Sequence, residues 1–332
     1  MSELGRYSRR FPDPQARMAA GYATAHCPWS RMKPVNFDYV RPSSLKEALT
    51  LLAADPDARL IAGGQSLIPM LAMRLSRPTK LIDILRVPGL SGIRETPAGI
   101  EIGATTRHVE VETSAVVAKH LPLLAKAMPW VGHPPIRARG TIGGSLAHGD
   151  PAAEVALVAV TLGAEIVFAD ADGERTLPIA DFYLAPTLTA LPAAACLTAV
   201  RFPRAPTGRR GTAFHEVSAR RSDFAIVSAA AQVVVDDDGQ CTSLNVGVGG
   251  AGDVPLRLAG VAEALVGGKL SDRAIGEAAW ASVADLETTA DLHASAEYRK
   301  RVAGVLAERA IRDARDEALG ASQSARNKTA RR

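Results

Sequence analysis

Two pairs of adjacent glycines, Gly63-Gly64 and Gly143-Gly144, are the residues of this chain best suited to holding a ligand. A serine follows each pair closely, Ser66 and Ser145, and neither loop carries a lysine. Adjacent glycines let a ligand approach the main chain without Cβ interference, and successive amides there can face anionic oxygens. A helix beginning just downstream would add the favourable end of its dipole. Two such loops would suit a diphosphate held from both sides, although either loop alone reads equally well as a tight turn.

Other suggestive spacings lead nowhere. Gly247-Val-Gly-Gly-Ala-Gly252 matches GxGxxG as text, but Asp253-Val254-Pro255 follows where a helix must begin, and a proline holds the residue before it extended. No acidic residue closes a second strand about 20 positions on, as a Rossmann site requires. Ser145, His148 and Asp150 lie too close in sequence for the usual triad geometry, and the segment lacks the second glycine of a nucleophile elbow. They read as polar groups lining a turn. The seven histidines form no HExxH-like pair, and no P-loop is present. No catalytic residue and no metal site are expected.

The elements around the glycines give the loops their setting. Phe37–Val40 reads as a short strand. Ser44-Leu-Lys-Glu47 has the form of a capping box, in which the serine hydroxyl takes an early helix amide and the glutamate reaches back. Leu45, Ala48, Leu49 and Leu52 then make one apolar helical face ending at Asp55-Pro56. Arg59–Ala62 is expected as a buried strand running into the first glycine pair, followed by a short helix (67–75) and a second strand (80–84). Alternation over 93–104 predicts a hairpin turning near Pro97–Gly99. Helical pattern covers Thr106 to about Met128, with Pro122 marking a break or a new first turn. The segment from His133 to Arg139 is Pro-rich and reads as irregular. The second glycine pair follows it, then a helix over 151–162, strands over 164–169 and 196–202, and a Pro/Gly/Arg-rich boundary at 203–211. Beyond that boundary three antiparallel strands (212–217, 225–235, 241–248) and two helices (about 272–284 and 296–318) are expected. Strands come in runs rather than strict βαβ alternation, so the class is α+β.

The 332 residues are 47% hydrophobic and 22% charged, which excludes general disorder and suits two domains. The most apolar run, Val155–Ala164, is flanked by Glu154 and Glu165 and is too short for a membrane span. Of the net charge of +4, residues 1–31 carry +3 and residues 320–332 carry +4, leaving −3 for the body. Basicity confined to tails argues against nucleic-acid binding. Cys27, Cys196 and Cys241 are widely separated, so the chain holds no iron–sulfur cluster of its own, and a reducing cytoplasm suits it. Arg9-Arg10 is followed by Pro12, Asp13, Pro14 and Gln15 rather than an apolar stretch, so no secretory or twin-arginine signal is read. Residues 1–31 are expected to be a flexible extension and 319–332 a basic flexible tail.

Taken together, the two loops resemble those of a known family. Ala62-Gly-Gly-Gln-Ser66 followed by Leu67-Ile-Pro-Met70, and Arg139-Gly-Thr-Ile-Gly-Gly-Ser145 followed by Leu146-Ala-His-Gly-Asp-Pro-Ala-Ala-Glu154, resemble the FAD-binding medium subunits of molybdenum hydroxylases of the carbon monoxide and xanthine dehydrogenase type. Phe37-Asp-Tyr-Val-Arg-Pro42, Leu81-Ile-Asp-Ile84, Ile102-Gly-Ala-Thr-Thr106, the segment from Arg220 to Ile226, and Ser295-Ala-Glu-Tyr-Arg299 echo the same family in order. The resemblance implies a PCMH-type FAD-binding domain over 32–206, built of two α+β subdomains (about 32–86 and 87–206). It further implies a carbon monoxide dehydrogenase flavoprotein-like C-terminal domain over 207–318, with a three-stranded antiparallel sheet and packed helices.

By position, the resemblance gives Gly63, Gly64, Gln65 and Ser66, with Gly143, Gly144 and Ser145, the pyrophosphate of FAD. Ala62, Leu67, Gly140 and Ile142 complete the two cofactor-binding segments. Thr106, Thr141 and Asp150 would lie near the flavin or its ribityl chain, Glu154 would reach a cofactor hydroxyl, and Leu197 would flank the flavin region. Some relatives place a lysine where Glu216 stands, and a carboxylate does not stabilise a negatively charged reduced flavin as an ammonium does. The implied role is electron transfer within a hetero-oligomer. A large molybdopterin-containing partner subunit would hydroxylate the substrate, and a small [2Fe-2S] partner would pass electrons to FAD here, for delivery to an external acceptor. Two other readings stay open: an assembly subunit of the same complex without redox-active flavin, and a stand-alone PCMH-type flavoenzyme.

Overall fold

The computed structural model describes residues 33–320, and the expectations for residues 1–31 and 321–332 lie outside that range. The chain forms three lobes, each with its own sheet. In the first, β1 (Asp38–Val40), α1 (Leu45–Ala53), β2 (Arg59–Ile61), α2 (Leu67–Ala72) and β3 (Lys80–Asp83) give a three-stranded parallel sheet in the order β1-β3-β2. Ala48 and Leu52 of α1 pack with Ile82 and Ile84 into its core. The Ser44 hydroxyl caps α1 by accepting from the Glu47 amide at 3.2 Å. Glu47, however, reaches Ser43 rather than Ser44, accepting from its amide and its hydroxyl, each at 2.7 Å. Two donors there outweigh the one that the expected capping box offered.

The second lobe begins with β4 (Ile93–Thr96) and β5 (Gly99–Gly103), the expected hairpin. Three short helices follow where one broken pattern was expected: α3 (His108–Glu112), α4 (Ala115–His120) and α5 (Pro122–Ala127). Ser114 caps α4 and Pro122 takes the first position of α5, where its missing amide is no loss. The Pro-rich stretch is not irregular throughout, because α6 (Pro134–Arg137) forms one turn with its prolines at the start. Then come α7 (Ile142–His148), α8 (Glu154–Leu162), β6 (Glu165–Asp170), β7 (Gly173–Pro178), the small hairpin β8 (Tyr183–Ala185) and β9 (Leu188–Thr189), and β10 (Cys196–Pro203). The last strand is threaded between β5 and β6, giving the order β4-β5-β10-β6-β7.

The third lobe is an antiparallel sheet of β11 (Arg209–Ser218), β12 (Ala225–Val235), β13 (Cys241–Gly249) and β14 (Leu256–Arg257), followed by α9 (Ala259–Leu265), α10 (Asp272–Ala284) and α11 (Ala296–Ala318). The expectation of three strands is corrected to four, because β14 adds two residues opposite Gly247 and Val248. Through Ala213, Val227, Val233 and Val246, one face of this sheet packs on α11 and α9, with α10 against those two helices. The other face packs on α8, all nine residues of which are buried, as befits a helix apolar all round. Gly247 lies under α8: a Cβ there would stand 2.3 Å from the Thr161 hydroxyl and 3.0 Å from Leu157. Gly247 and Gly249 of the spurious GxGxxG thus serve helix-on-sheet packing, both lying against Leu157. No helix of the described residues is long and apolar enough to cross a membrane.

Arg299 of α11 ties the sheet's end together. Its guanidinium donates to the carbonyls of Ile226 and Gly250 and pairs with Asp291 at 2.6 Å, while the Gly250 amide donates to Pro151 O of the second lobe. We expect Arg299→Met to lose about 2–4 kcal/mol in denaturant unfolding, because it strips two buried carbonyls of their donor. A loss below about 1 kcal/mol would show that the clamp is dispensable.

Candidate cofactor site

The first glycine turn links β2 to α2. Gly64 sits at φ +72°, the left-handed region that glycine enters without penalty. The Gln65 side chain donates to Gly63 O at 3.1 Å, which braces the turn. Among the described residues, the main-chain N–H groups of Gly64, Gln65 and Ser66 find no acceptor. Ser66 is exposed, and Ala62 and Leu67 on either side are half-buried. Three successive unpaired amides in an exposed turn can bind anionic oxygens.

The second turn leads into α7. Thr141 is its N-cap, and its hydroxyl accepts from the Gly144 amide at 3.2 Å. The Ile142 and Gly143 amides are also taken, by Thr106 O at 3.0 Å and Ala104 O at 2.8 Å. This turn therefore offers close approach rather than a row of free donors. Gly143 is packed so tightly that a Cβ would stand 2.5 Å from that of Ala104, whereas one on Gly144 would meet only the Thr141 side chain. Gly144 is exposed and Ser145 half-buried.

The two turns meet. A Cβ on Gly63 would lie 2.3 Å from Arg139 O and 2.8 Å from the Gly140 Cα, so main chain touches main chain there. Arg107 donates to the same Arg139 carbonyl and forms an isolated bridge with Thr141. The Gly140 carbonyl accepts from the His108 amide at 3.0 Å. Sequence reasoning missed both Arg107 and His108. The His108 ring is 5% exposed and lies against the Thr141 main chain. Burial, helped by the nearby Arg137 and Arg107, brings its pKa down to about 4. It is a neutral wedge under the second turn, and nothing in its spacing marked it out.

The other expected site residues have definite tasks. The Thr106 hydroxyl is committed to Gly92, accepting from its amide at 2.9 Å and donating to its carbonyl at 3.1 Å. Asp150 accepts from the Ala152 amide at 2.8 Å and shapes the turn into α8. Leu197 is buried in β10 at a bulge, next to Cys196, which shares a core cluster with Ala62. Glu154 opens α8 and is 8% exposed. Burial, then the charge of Asp150, raises its carboxyl to about 7. Burial, then Glu154, raises Glu216 to about 8, with the nearby Ser218 hydroxyl offsetting this only in part. At neutral pH Glu216 is therefore largely protonated.

This arrangement agrees with what comparison with known proteins finds. Residues 35–205 match the family described as the FAD binding domain in molybdopterin dehydrogenase, and residues 212–314 match the carbon monoxide dehydrogenase flavoprotein C-terminal domain. The chain belongs to the FAD-binding medium subunits of molybdenum hydroxylases: it is the flavin-carrying part of a multi-subunit oxidoreductase, and FAD is its cofactor. It is 42% identical over 281 residues to the 6-hydroxypseudooxynicotine dehydrogenase complex subunit alpha of Paenarthrobacter nicotinovorans, covering 84% of this chain and 95% of that one. It superposes with TM-score 0.83 and 34% identity on a chain of carbon monoxide dehydrogenase from Hydrogenophaga pseudoflava, covering 86% and 99% of the two chains. It superposes with TM-score 0.82 and 36% identity on a chain of quinoline 2-oxidoreductase from Pseudomonas putida 86, covering 87% and 99%.

The contact between the turns makes a direct prediction. Gly63→Ala drives a methyl group into main chain of the second turn and should cost about 1–3 kcal/mol in denaturant unfolding. Gly144→Ala, which meets only the Thr141 side chain inside a helix, should stay within about 1 kcal/mol of the parent. Equal stability of the two variants would contradict the contact.

Proposed function

We propose that the two turns grip the diphosphate of FAD between them, and that the chain works as the electron-transfer subunit of a hetero-oligomer. The single observation carrying this reading is the main-chain contact of Gly63 with Arg139–Gly140 beside the unpaired amides of Gly64, Gln65 and Ser66. Those amides would donate to phosphate oxygens, with Ala62 and Leu67 setting the ends of the turn. Gly140, Thr141, Ile142, Gly143, Gly144 and Ser145 would form the opposing wall, where Gly144 leaves room that a side chain would fill. Thr106 and Thr141 hold that wall by their own hydrogen bonds rather than by touching the diphosphate. Asp150 and Glu154 would stand nearer the ribityl chain, where a protonated Glu154 can donate to a hydroxyl and an ionised one can accept. Leu197 would present an apolar edge towards the flavin.

When bound, FAD supplies the redox chemistry, receiving electrons from a [2Fe-2S] partner subunit and passing them to an external acceptor. Substrate hydroxylation then belongs to a molybdopterin-containing partner. Two relatives act on quite different molecules by name, carbon monoxide and 6-hydroxypseudooxynicotine. That range is consistent with a shared electron-transfer subunit serving partners of different substrate choice.

The assembly purified after co-expression with its partners should be yellow and release FAD on denaturation, about one per copy of this chain. A folded, colourless assembly would overturn the proposal. Gly144→Val should abolish flavin retention while keeping the parent's far-ultraviolet circular dichroism, because its branched side chain occupies the open side of the turn. Full flavin content in that variant would place the diphosphate elsewhere.

A further inference from the structure

Arg107 stands where the two turns meet. Its main chain lies opposite Thr141 in the isolated antiparallel bridge, flanked by bonds from the His108 amide to Gly140 O and from the Ile142 amide to Thr106 O. The pair is thus not itself hydrogen-bonded, the arrangement in which facing side chains lie closest and on the same side. The Thr141 hydroxyl borders the room left by Gly144, since a Cβ there would stand 2.7 Å from it and meet no other side chain. On its other flank the Arg107 guanidinium donates to Arg139 O, the oxygen that a Cβ on Gly63 would strike at 2.3 Å. One side chain therefore adjoins both the open side of the second turn and the spot where the first turn touches it.

No acid neutralises this cation. Among the described residues Arg107 forms no ion pair, and within its fork of N–H donors only Nη1 has an acceptor. The carboxylates whose charge it feels are engaged elsewhere. Glu110 accepts from Arg107's own amide at 2.7 Å. Asp83 accepts from the Leu85 amide at 3.0 Å and from the Tyr39 hydroxyl, and pairs with Arg41 at 3.4 Å. Arg139 is exposed, adds a second positive charge and likewise forms no ion pair among the described residues. Burial lowers the pKa of Arg107; Glu110 and Asp83 oppose that shift and Arg139 adds to it. A half-buried cation costs free energy unless an anion answers it. Neither glycine turn carries a lysine, so a diphosphate held by those turns alone would face amides and no cation.

We propose that Arg107 is the counter-ion of the FAD diphosphate, pairing with phosphate oxygens together with the amides of Gly64, Gln65 and Ser66. This rests on the reading that the turns grip that diphosphate, and it adds a residue that neither glycine motif contains. Nη1 keeps the Arg139 carbonyl, while Nε and Nη2 serve the anion. The planar fork makes both contacts at once. A lysine in its place keeps the charge as a point, and a glutamine keeps neither the charge nor the fork.

The test uses the assembly purified with its partner subunits and stripped of flavin. FAD binding is followed by flavin fluorescence at low and high salt, with ADP as a competitor that offers the diphosphate without the flavin. The parent should bind both ligands less tightly as salt rises. Arg107→Gln should weaken FAD and ADP alike by about 10- to 100-fold at low salt, a gap that narrows at high salt. Arg107→Lys should recover most of that loss together with the salt dependence. ADP affinity in Arg107→Gln equal to the parent's would overturn the proposal. So would an equal weakening at every salt concentration that Arg107→Lys does not relieve, the pattern of a residue that only supports the Arg139 carbonyl. Should Arg107→Gln fail to assemble, salt-independent ADP binding by the parent would still overturn it. If ADP does not compete with FAD in the parent, the grip on the diphosphate falls and this proposal with it. If ADP competes but ignores the change at Arg107, the grip stands and only the counter-ion is wrong.

Discussion

Where Gly63 meets Arg139 and Gly140, two stretches far apart in sequence come within main-chain contact, and the geometry of the cofactor site follows from that approach. Any side chain at Gly63 would have to displace a carbonyl and a Cα, so the distance between the first and second lobes is set by the absence of one Cβ. Arg107, by holding the Arg139 carbonyl, keeps the second turn presented to the first. His108 supports it from beneath, buried and neutral. The turns then divide the labour. The first retains unpaired amides, while the second has its amides satisfied and contributes shape. Two turns of similar sequence thus do different things because their surroundings differ.

Much of this was legible from residue types and spacing. The helices over 272–284 and 296–318 fall where the pattern placed them, since Ser271 and Ser295 cap them by accepting from Ala274 and Tyr298. The first glycine turn lies between the strand and the helix expected to flank it, whereas the second pair, expected in a loop, falls in the first turn of α7, a helix the pattern did not show. What was illegible has physical causes. A glycine needed for close approach looks the same in sequence as one needed for a turn, so the contact of Gly63 with Arg139 carried no signal. The prolines at 134 and 135 suggested irregularity, yet proline is at home in a first helical turn. β14 and α9 are too short for periodicity to register. That Glu216 lies on the α8 side of its sheet depends on strand register, which no local pattern encodes.

The departure at Glu216 also takes on a different character in three dimensions. Judged by charge type alone, a glutamate replacing a lysine brings a negative group to the cofactor region. Burial, then the charge of Glu154, raises its carboxyl to about 8, so at neutral pH the position adds little negative charge. Environment, not residue type, decides the electrostatics there.

One helix, α8, sits inside a single core with the second-lobe sheet on one side and β12 and β13 on the other. Synthesis proceeds from the N-terminus, so α8 leaves the ribosome well before the strands that cover its far side. Until those strands arrive, an apolar cylinder is bare to the solvent, and the lobe that makes most of the cofactor site has no finished interior. The nascent chain is thus most vulnerable to misassociation in that interval. Separating the lobes at the Pro-rich crossover would leave each fragment with an exposed sticky face.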